Sequence, residues 1–138
     1  MEDLIARLRQ VQLFESLSDQ DLANVAKMGK EMTFPAGAEV TTEGKTGIGF
    51  HLILDGRVQV KAGGQEKTAL GPGRYFGEMA LLDSEPRSAT VTALTDLRTF
   101  SLASWDFMGL ISTEFDIARK IFAGLSRRIR ELQGSDPA

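Results

Sequence analysis

The chain has a helical spacing of apolar residues at both ends and an alternating spacing between them. Apolar side chains recur at steps of three and four from Leu4 to Val11, which predicts a first helix. Ser18 followed three residues later by Asp21 indicates the capped start of a second helix. We therefore expect N-terminal helices over about residues 1–30.

From about residue 31 to residue 103 the pattern alternates between apolar and polar, and glycine-rich turns divide it into short segments. Such segments are typical of strands with one buried face. The dipeptides Asp55-Gly56 and Gly63-Gly64 predict hairpin turns, because glycine adopts the positive φ that these turns need. Seven or eight short strands predict a small barrel or jelly roll, in which each strand buries its apolar side.

Helical spacing returns over about residues 104–133, where the pattern predicts a short helix beginning at Ser104 and then one long helix. The long helix carries an apolar seam: Phe115, Ala118, Phe122, Leu125, Ile129 and Leu132. This seam fits packing on the strands, and it also fits an interface between two copies of the chain. The predicted fold is α+β, an eight-stranded antiparallel β jelly roll or barrel flanked by N-terminal helices and two C-terminal helices. We expect one domain over residues 1–138.

The composition fits one soluble globular domain, with 42% hydrophobic and 25% charged residues among 138. The net charge is −3, so the chain as a whole lacks the positive field on which non-specific nucleic-acid binding relies. The N-terminus does not look like a signal peptide, and no apolar run approaches the roughly 18 residues that span a membrane. With no cysteine, the chain suits a reducing compartment, and a cytoplasmic location is expected.

The chain has one histidine, His51, which limits its metal and catalytic chemistry. Jelly-roll metal enzymes use several histidine ligands, and a Ser-His-Asp triad on this histidine would need a nucleophile turn that the sequence lacks. A lone histidine inside an apolar strand is more typical of a packed residue. We therefore expect no metal site, no cofactor and no catalytic residue, and a jelly-roll enzyme is the weaker alternative.

Residues 76–91, called the cassette segment below, combine groups that suit a phosphate ligand. Gly77 begins an apolar turn with unobstructed backbone N–H groups, and the start of such a turn attracts anions. Arg87 can meet a phosphate with two parallel donors, and Ser88 adds a hydroxyl. Glu78 would repel an anion, so we expect it to bind a sugar hydroxyl. A cyclic nucleotide carries both groups. The alternative is that Glu78 and Arg87 pair with each other at the surface, worth at most about 1 kcal/mol.

Phe76 to Leu82 and Pro86 to Val91 resemble, without a gap, the phosphate-binding cassette of the cyclic nucleotide-binding domain family. This family includes catabolite-activator-type regulators, protein kinase A regulatory subunits and cyclic-nucleotide-gated channels. The resemblance extends to three further segments, which are Phe14–Ser18, Phe34–Gly37 and Leu52–Val58. It thus covers nearly the whole chain.

The resemblance implies a set of ligand-binding residues: Val60, Gly77, Glu78, Met79, Ala80, Leu81, Arg87, Ser88, Ala89 and Arg128. In this set Glu78 binds the ribose 2′-hydroxyl, Arg87 binds the exocyclic phosphate oxygens, and cassette N–H groups complete the phosphate cradle. Val60 lies against the base, although ordinary barrel packing explains that valine equally well. Arg128, nearer the seam than Arg127, caps the base, with a solvated basic face as its alternative.

The resemblance also bears on the ligand and on the output. In the family a threonine after the cassette arginine favours cGMP, and this chain has Ser88 there, so cAMP is expected over cGMP. Residues 114–132 are expected to move over the base on binding. The implied partners are an effector protein or a linked effector domain, and a second copy bound through the C-terminal helix. Six residues follow Leu132, too few for a DNA-binding helix-turn-helix. A module of this fold that binds no ligand is the alternative.

Overall fold

In the computed structural model, which describes residues 1–83 and 85–134, the chain divides into a helical unit and a β unit. The helical unit comprises residues 1–27 with the described residues from 109 onward, and the β unit comprises residues 28–108. Residues 84 and 135–138 of the predicted domain lie outside the described residues. None of the helices in the described part combines the length and the apolarity needed to cross a membrane.

The order of elements follows the predicted sequence of helices, strands and helices. The helices are α1 (Glu2–Arg9), a 3₁₀ turn (Gln12–Phe14), α2 (Asp19–Met28), α3 (Ala80–Asp83), α4 (Ser104–Thr113) and α5 (Phe115–Gln133). The strands are β1 (Lys30–Phe34), β2 (Glu39–Thr41), β3 (Gly49–Asp55), β4 (Val58–Ala62), β5 (Gln65–Leu70), β6 (Tyr75–Phe76), β7 (Thr90–Ala93) and β8 (Leu97–Ala103).

The strands form two four-stranded sheets, with strand orders β1-β8-β3-β6 and β2-β7-β4-β5, and every pair is antiparallel. Alternate residues of both sheets point inward and form one core cluster, which contains Ile53, Val58, Val91, Ala93 and Leu97. This arrangement confirms the predicted α+β jelly roll with eight antiparallel strands.

The first and last strands of the β unit are neighbours in the same sheet. In the pairing of β1 with β8, Lys30 lies opposite Ser101 and Phe34 lies opposite Leu97. The chain therefore enters and leaves the β unit on adjacent strands.

One of the two predicted hairpins forms and the other is wrong. Gly63 and Gly64, with φ values of +60° and +75°, join β4 to β5 in a tight turn that pairs Ala62 with Gln65. The Asp55-Gly56 turn instead joins strands of different sheets, because β3 pairs with β6 and β8 while β4 pairs with β5 and β7. A turn dipeptide specifies a local reversal of the chain, and the distant partners decide which strands pair.

In the helical unit the predicted cap of α2 is present. The Asp21 N–H donates to Ser18 Oγ at 3.1 Å, and the Ser18 N–H donates to the Asp21 carboxylate at 3.0 Å. This reciprocal pair satisfies two donors that the helix start would otherwise leave open. The Lys120 ammonium bonds the same carboxylate at 2.8 Å and so joins α5 to α2.

The apolar seam of α5 is mostly exposed. The face that α5 buries contains Ile117, Ala118 and Ile121, and only Ala118 of these belongs to the predicted seam. Four other seam residues are more than half exposed, namely Phe115, Phe122, Ile129 and Leu132. Packing of the described residues within the helical unit therefore leaves most of the seam uncovered.

Candidate ligand-binding site

The β unit contains a cavity of about 540 Å³ beside the cassette segment. Its lining includes the apolar residues Val60, Leu70 and Val91 and the polar residues Glu78, Arg87 and Ser88. A cavity of this size, with apolar walls and a few polar groups, is typical of a small-molecule site.

Strand pairing brings the apolar part of the cavity wall together. Val60 on β4 lies opposite Thr68 on β5 and opposite Val91 on β7. Directly opposed residues of antiparallel strands share one face of the sheet, so these three side chains lie side by side. All three line the cavity.

The backbone of Arg87 is fixed by the loop that follows β2. The Arg87 N–H donates to the Lys45 carbonyl at 2.9 Å, and the Gly44 N–H donates to the Arg87 carbonyl at 2.8 Å. A little further on, the Glu43 N–H donates to Thr90 Oγ1 at 2.9 Å. These bonds fix the backbone at Arg87 and at the start of β7, and so fix the position from which the Arg87 side chain extends.

The guanidinium of Arg87 is a desolvated cation in the cavity wall. Only 9% of Arg87 is exposed, and its Nη2 donates to the Gly49 carbonyl. Its Nε is buried and has no hydrogen-bond partner among the described residues. Burial lowers the pKa of Arg87, while the nearby carboxylates of Glu78 and Asp83 act in the opposite direction. An arginine remains charged at physiological pH, so an anion entering the cavity would meet a cation stripped of water.

Glu78 lies in the same cavity wall as Arg87, yet the two do not form an ion pair. Glu78 is half-buried, and no carboxylate of the described residues lies within 4.0 Å of the Arg87 guanidinium. The alternative that these two residues only neutralise each other at the surface is therefore wrong. Both charges remain available to a molecule in the cavity.

The turn that contains Glu78 begins at Gly77, whose φ of +84° favours glycine. The Ala80 N–H donates to the Gly77 carbonyl and the Leu81 N–H to the Glu78 carbonyl, both at 3.2 Å. These long bonds close the turn that leads into α3. A phosphate held by the Ala80 N–H would have to share that donor with Gly77.

His51 lies beneath the cavity wall as a packed residue, as predicted. It is 2% exposed, its Nδ1 is 2.7 Å from Ser101 Oγ, and Ser101 Oγ is 2.8 Å from Thr99 Oγ1. Its ring stacks on Phe76, a cavity residue, with centroids 5.1 Å apart. Burial, with a smaller effect of the Arg87 charge, lowers the pKa of His51 to about 4. Among the described residues no group of three or more potential side-chain ligands could hold a metal ion.

The family model for the cyclic nucleotide-binding domain matches residues 31–114, more than half of the chain. The chain belongs to this family. The cavity lies entirely within the matched range, since its lining runs from Thr41 to Val91.

Relatives of this cyclic nucleotide-binding domain are built into several kinds of larger protein. The chain is 40% identical over 108 residues to a cyclic nucleotide-gated potassium channel of Mesorhizobium japonicum. The match covers 78% of the chain and 30% of the channel. The chain is 34% identical over 124 residues to the cyclic AMP receptor protein of Thermus thermophilus, covering 86% of the chain and 57% of the receptor. The chain thus spans from under a third to just over half of these relatives.

A solved structure shows the same fold. The N-terminal domain of a transcriptional regulator from Streptomyces coelicolor superposes on this cyclic nucleotide-binding domain with a TM-score of 0.83 at 28% identity. The match covers 94% of this chain and 96% of that domain.

The structure brings eight of the ten predicted site residues together around the cavity. They are Val60, Gly77, Glu78, Met79, Ala80, Arg87, Ser88 and Ala89. Leu81 is fully buried and does not line the cavity. Arg128 is exposed on α5 in the helical unit, so its place over a base stays a prediction.

Sequence reasoning missed several residues of the cavity wall. Thr68 and Leu70 on β5 and Tyr75 on β6 line the cavity of this cyclic nucleotide-binding domain. The alternating pattern places Thr68 and Leu70 on one face of β5, and that face becomes the cavity wall only because β5 pairs with β4. If the pairing of β4 with β5 had been predicted, the assignment of Val60 to the site would have pointed to Thr68 and Leu70 as well.

Proposed function

We propose that this domain binds a cyclic nucleotide in the cavity of the β unit and prefers cAMP to cGMP. The observation that carries the proposal is the buried guanidinium of Arg87, which has one neutral acceptor and no ion pair among the described residues. A buried charge without a charged partner destabilises a fold, so its presence in a cavity wall supports an anionic ligand. A cyclic phosphodiester supplies one negative charge.

The remaining groups of the wall fit the rest of such a ligand. Glu78 accepts a hydrogen bond from the ribose 2′-hydroxyl, because a carboxylate would repel the phosphate itself. The apolar surface formed by Val60, Leu70 and Val91 contacts the base. The arrangement therefore orients the nucleotide with its phosphate at Arg87 and its sugar at Glu78.

The base preference is supported by Ser88, which lines the cavity directly after Arg87. In the family, threonine at this position favours cGMP because its hydroxyl reaches the guanine. Serine is the residue of many cAMP-binding members.

The second part of the proposal is that binding moves α5 and places Arg128 over the base. A ligand can regulate a protein only if it binds two conformations with different affinities, and the position of α5 is the proposed difference between them.

Calorimetric titration of the chain with cAMP and with cGMP tests the ligand. We expect micromolar or tighter binding of cAMP and weaker binding of cGMP, together with a change in amide hydrogen exchange across α5 when cAMP is bound. Equal affinities would contradict the base preference, and unaltered exchange in α5 would contradict the movement. No heat with either nucleotide would instead favour a module of this fold that binds no ligand.

The third part of the proposal is a homodimer joined through α5, which the exposed seam of this helix supports. Phe122, 60% exposed, is a central member of the seam. In sedimentation velocity we expect the native chain to sediment as a dimer and Phe122→Asp as a monomer, because a charge would be buried in the apolar interface. Ala123→Asp, an exposed neighbour outside the seam, is the control and should remain dimeric. A monomeric native chain would refute the dimer.

The output of the domain is a proposal of the same kind. The named relatives include a channel and a receptor protein that are longer than this chain. We propose that this domain likewise acts on an effector, either a linked domain or a separate protein, through the position of α5.

A further inference from the structure

The Arg87 guanidinium lies in a slot formed by three glycines, Gly47, Gly49 and Gly77. The Gly49 carbonyl accepts a hydrogen bond from Nη2 at the end of the slot. A Cβ at position 47 would lie 2.6 Å from Nη2 and 2.8 Å from Cζ, and one at position 77 would contact Nη1 and lie 3.2 Å from Cζ. Real side chains do not approach this closely, so the slot exists only because both walls lack a Cβ.

Glycine is required at positions 47 and 77, the two walls of the slot, for different reasons. Gly77 has a φ of +84°, so the backbone of the turn favours glycine there whatever surrounds it. The φ of Gly47 lies outside the left-handed region, and the three atoms nearest to a Cβ at this position all belong to the Arg87 side chain. An alanine at 47 would therefore satisfy the backbone, and its closest clash would be with the Arg87 side chain.

The flexibility of arginine decides what such a clash would do. The guanidinium ends a long side chain with several rotatable bonds, so it can leave the slot by changing rotamer at little expense to the fold. Once outside, it would lose its bond to the Gly49 carbonyl and its fixed place relative to Glu78. A displacement of this kind affects the ligand far more than the stability of the protein.

We propose that Gly47 is a positioning residue for the ligand, because its missing side chain holds the Arg87 guanidinium where the phosphate is bound. The inference rests on the proposed binding of a cyclic nucleotide. It assigns a role to the loop between β2 and β3, in which Gly47 lies forty positions before Arg87.

The test compares Gly47→Ala with Gly71→Ala in the full chain. Gly71 is a matched control, since it lies in the same unit, has no left-handed φ and has nothing within 4 Å of an added Cβ. We expect Gly47→Ala to bind cAMP at least tenfold more weakly and Gly71→Ala to bind within twofold of the native chain. The urea unfolding midpoints of both variants should stay close to the native value. Native-like cAMP affinity in Gly47→Ala would overturn the proposal.

A second readout follows Arg87 directly and needs no ligand. In the ¹⁵N-labelled chain, the Nε–Hε signal of Arg87 is assigned by its absence from Arg87→Lys. We expect this signal to shift in Gly47→Ala and to stay in place in Gly71→Ala. A weakened affinity with an unshifted signal would overturn the proposal, because the effect would not pass through Arg87. A native chain that binds no cyclic nucleotide would refute the proposed function, whereas a shifted signal would still locate Gly47 against Arg87.

A variant that fails to fold would also give an answer. If Gly47→Ala is unfolded, the double variant Gly47→Ala/Arg87→Ala removes the side chain that the new methyl group would meet. Recovery of a cooperative unfolding transition in the double variant would support the clash with Arg87. Persistent unfolding would show that position 47 contacts something else and would overturn the proposal.

Discussion

Replacing Arg87 with alanine is expected to weaken cAMP binding by at least about 2 kcal/mol, a factor of about thirty. Among the described residues that line the cavity, Arg87 is the buried cation and Arg74 is an exposed one. The variant therefore removes the desolvated charge near Glu78 and Asp83. The cAMP affinity of Arg87→Lys should lie between those of the native chain and Arg87→Ala, because lysine keeps the charge and loses the planar pair of donors. Isothermal titration of the three proteins with cAMP measures the effect.

Arg98→Ala is the matched control for this experiment. Arg98 lies on β8, is exposed, and pairs with Glu31 at 3.0 Å away from the cavity. An exposed pair of this kind contributes little, so cAMP affinity should stay within twofold of the native value. Native affinity in Arg87→Ala would contradict the assignment of the phosphate to this arginine.

The stability of the protein is expected to fall as the pH is lowered from 6.5 towards 4, and His51 is the reason. Burial keeps the pKa of His51 at about 4 in the folded state, whereas a histidine in the unfolded chain titrates near 6.5. Between these values the unfolded state binds more protons than the folded state, so acid favours unfolding. The free energy of unfolding should fall by roughly 1.4 kcal/mol per pH unit within this window, on the order of 3 kcal/mol in all.

Urea unfolding at pH 7, 6 and 5 measures this slope in the native chain and in His51→Gln. The chain has one histidine, so the variant removes the only side chain that ordinarily titrates in the range. Hydrogen bonds from Arg119 and Lys120 keep the pKa of Asp116 below its usual value, which places its protonation at lower pH. The glutamine variant should show a clearly flatter dependence between pH 6 and pH 5. Parallel slopes in the two proteins would show that His51 does not resist protonation.

Much of the fold could be predicted because its signals are local. The capping pair of Ser18 and Asp21, the alternation in β7 and the turn at Gly63-Gly64 each involve residues within a few positions of one another. The cassette segment is local as well, since Gly77 and Arg87 lie ten positions apart. These features were therefore recoverable from spacing and from a resemblance that rests on contiguous residues.

Other features depend on partners far away in the chain. The Asp55-Gly56 turn predicts a hairpin, yet β3 pairs with β8, more than forty positions later. Arg87 meets Gly47 across forty positions, and no pattern around Gly47 indicates that contact. The exposure of Phe122 on α5 depends in the same way on which face of the helix the rest of the chain covers. Periodicity finds an apolar stripe, and tertiary packing selects the one that is buried.

The pairing of β1 with β8 brings the start of the first strand close to the end of the last strand. Lys30 and Ser101 lie on neighbouring strands, whose backbones are about 5 Å apart, so the chain enters β1 and leaves β8 side by side. A host sequence interrupted at a surface loop would need almost no extra length to accommodate such an insert.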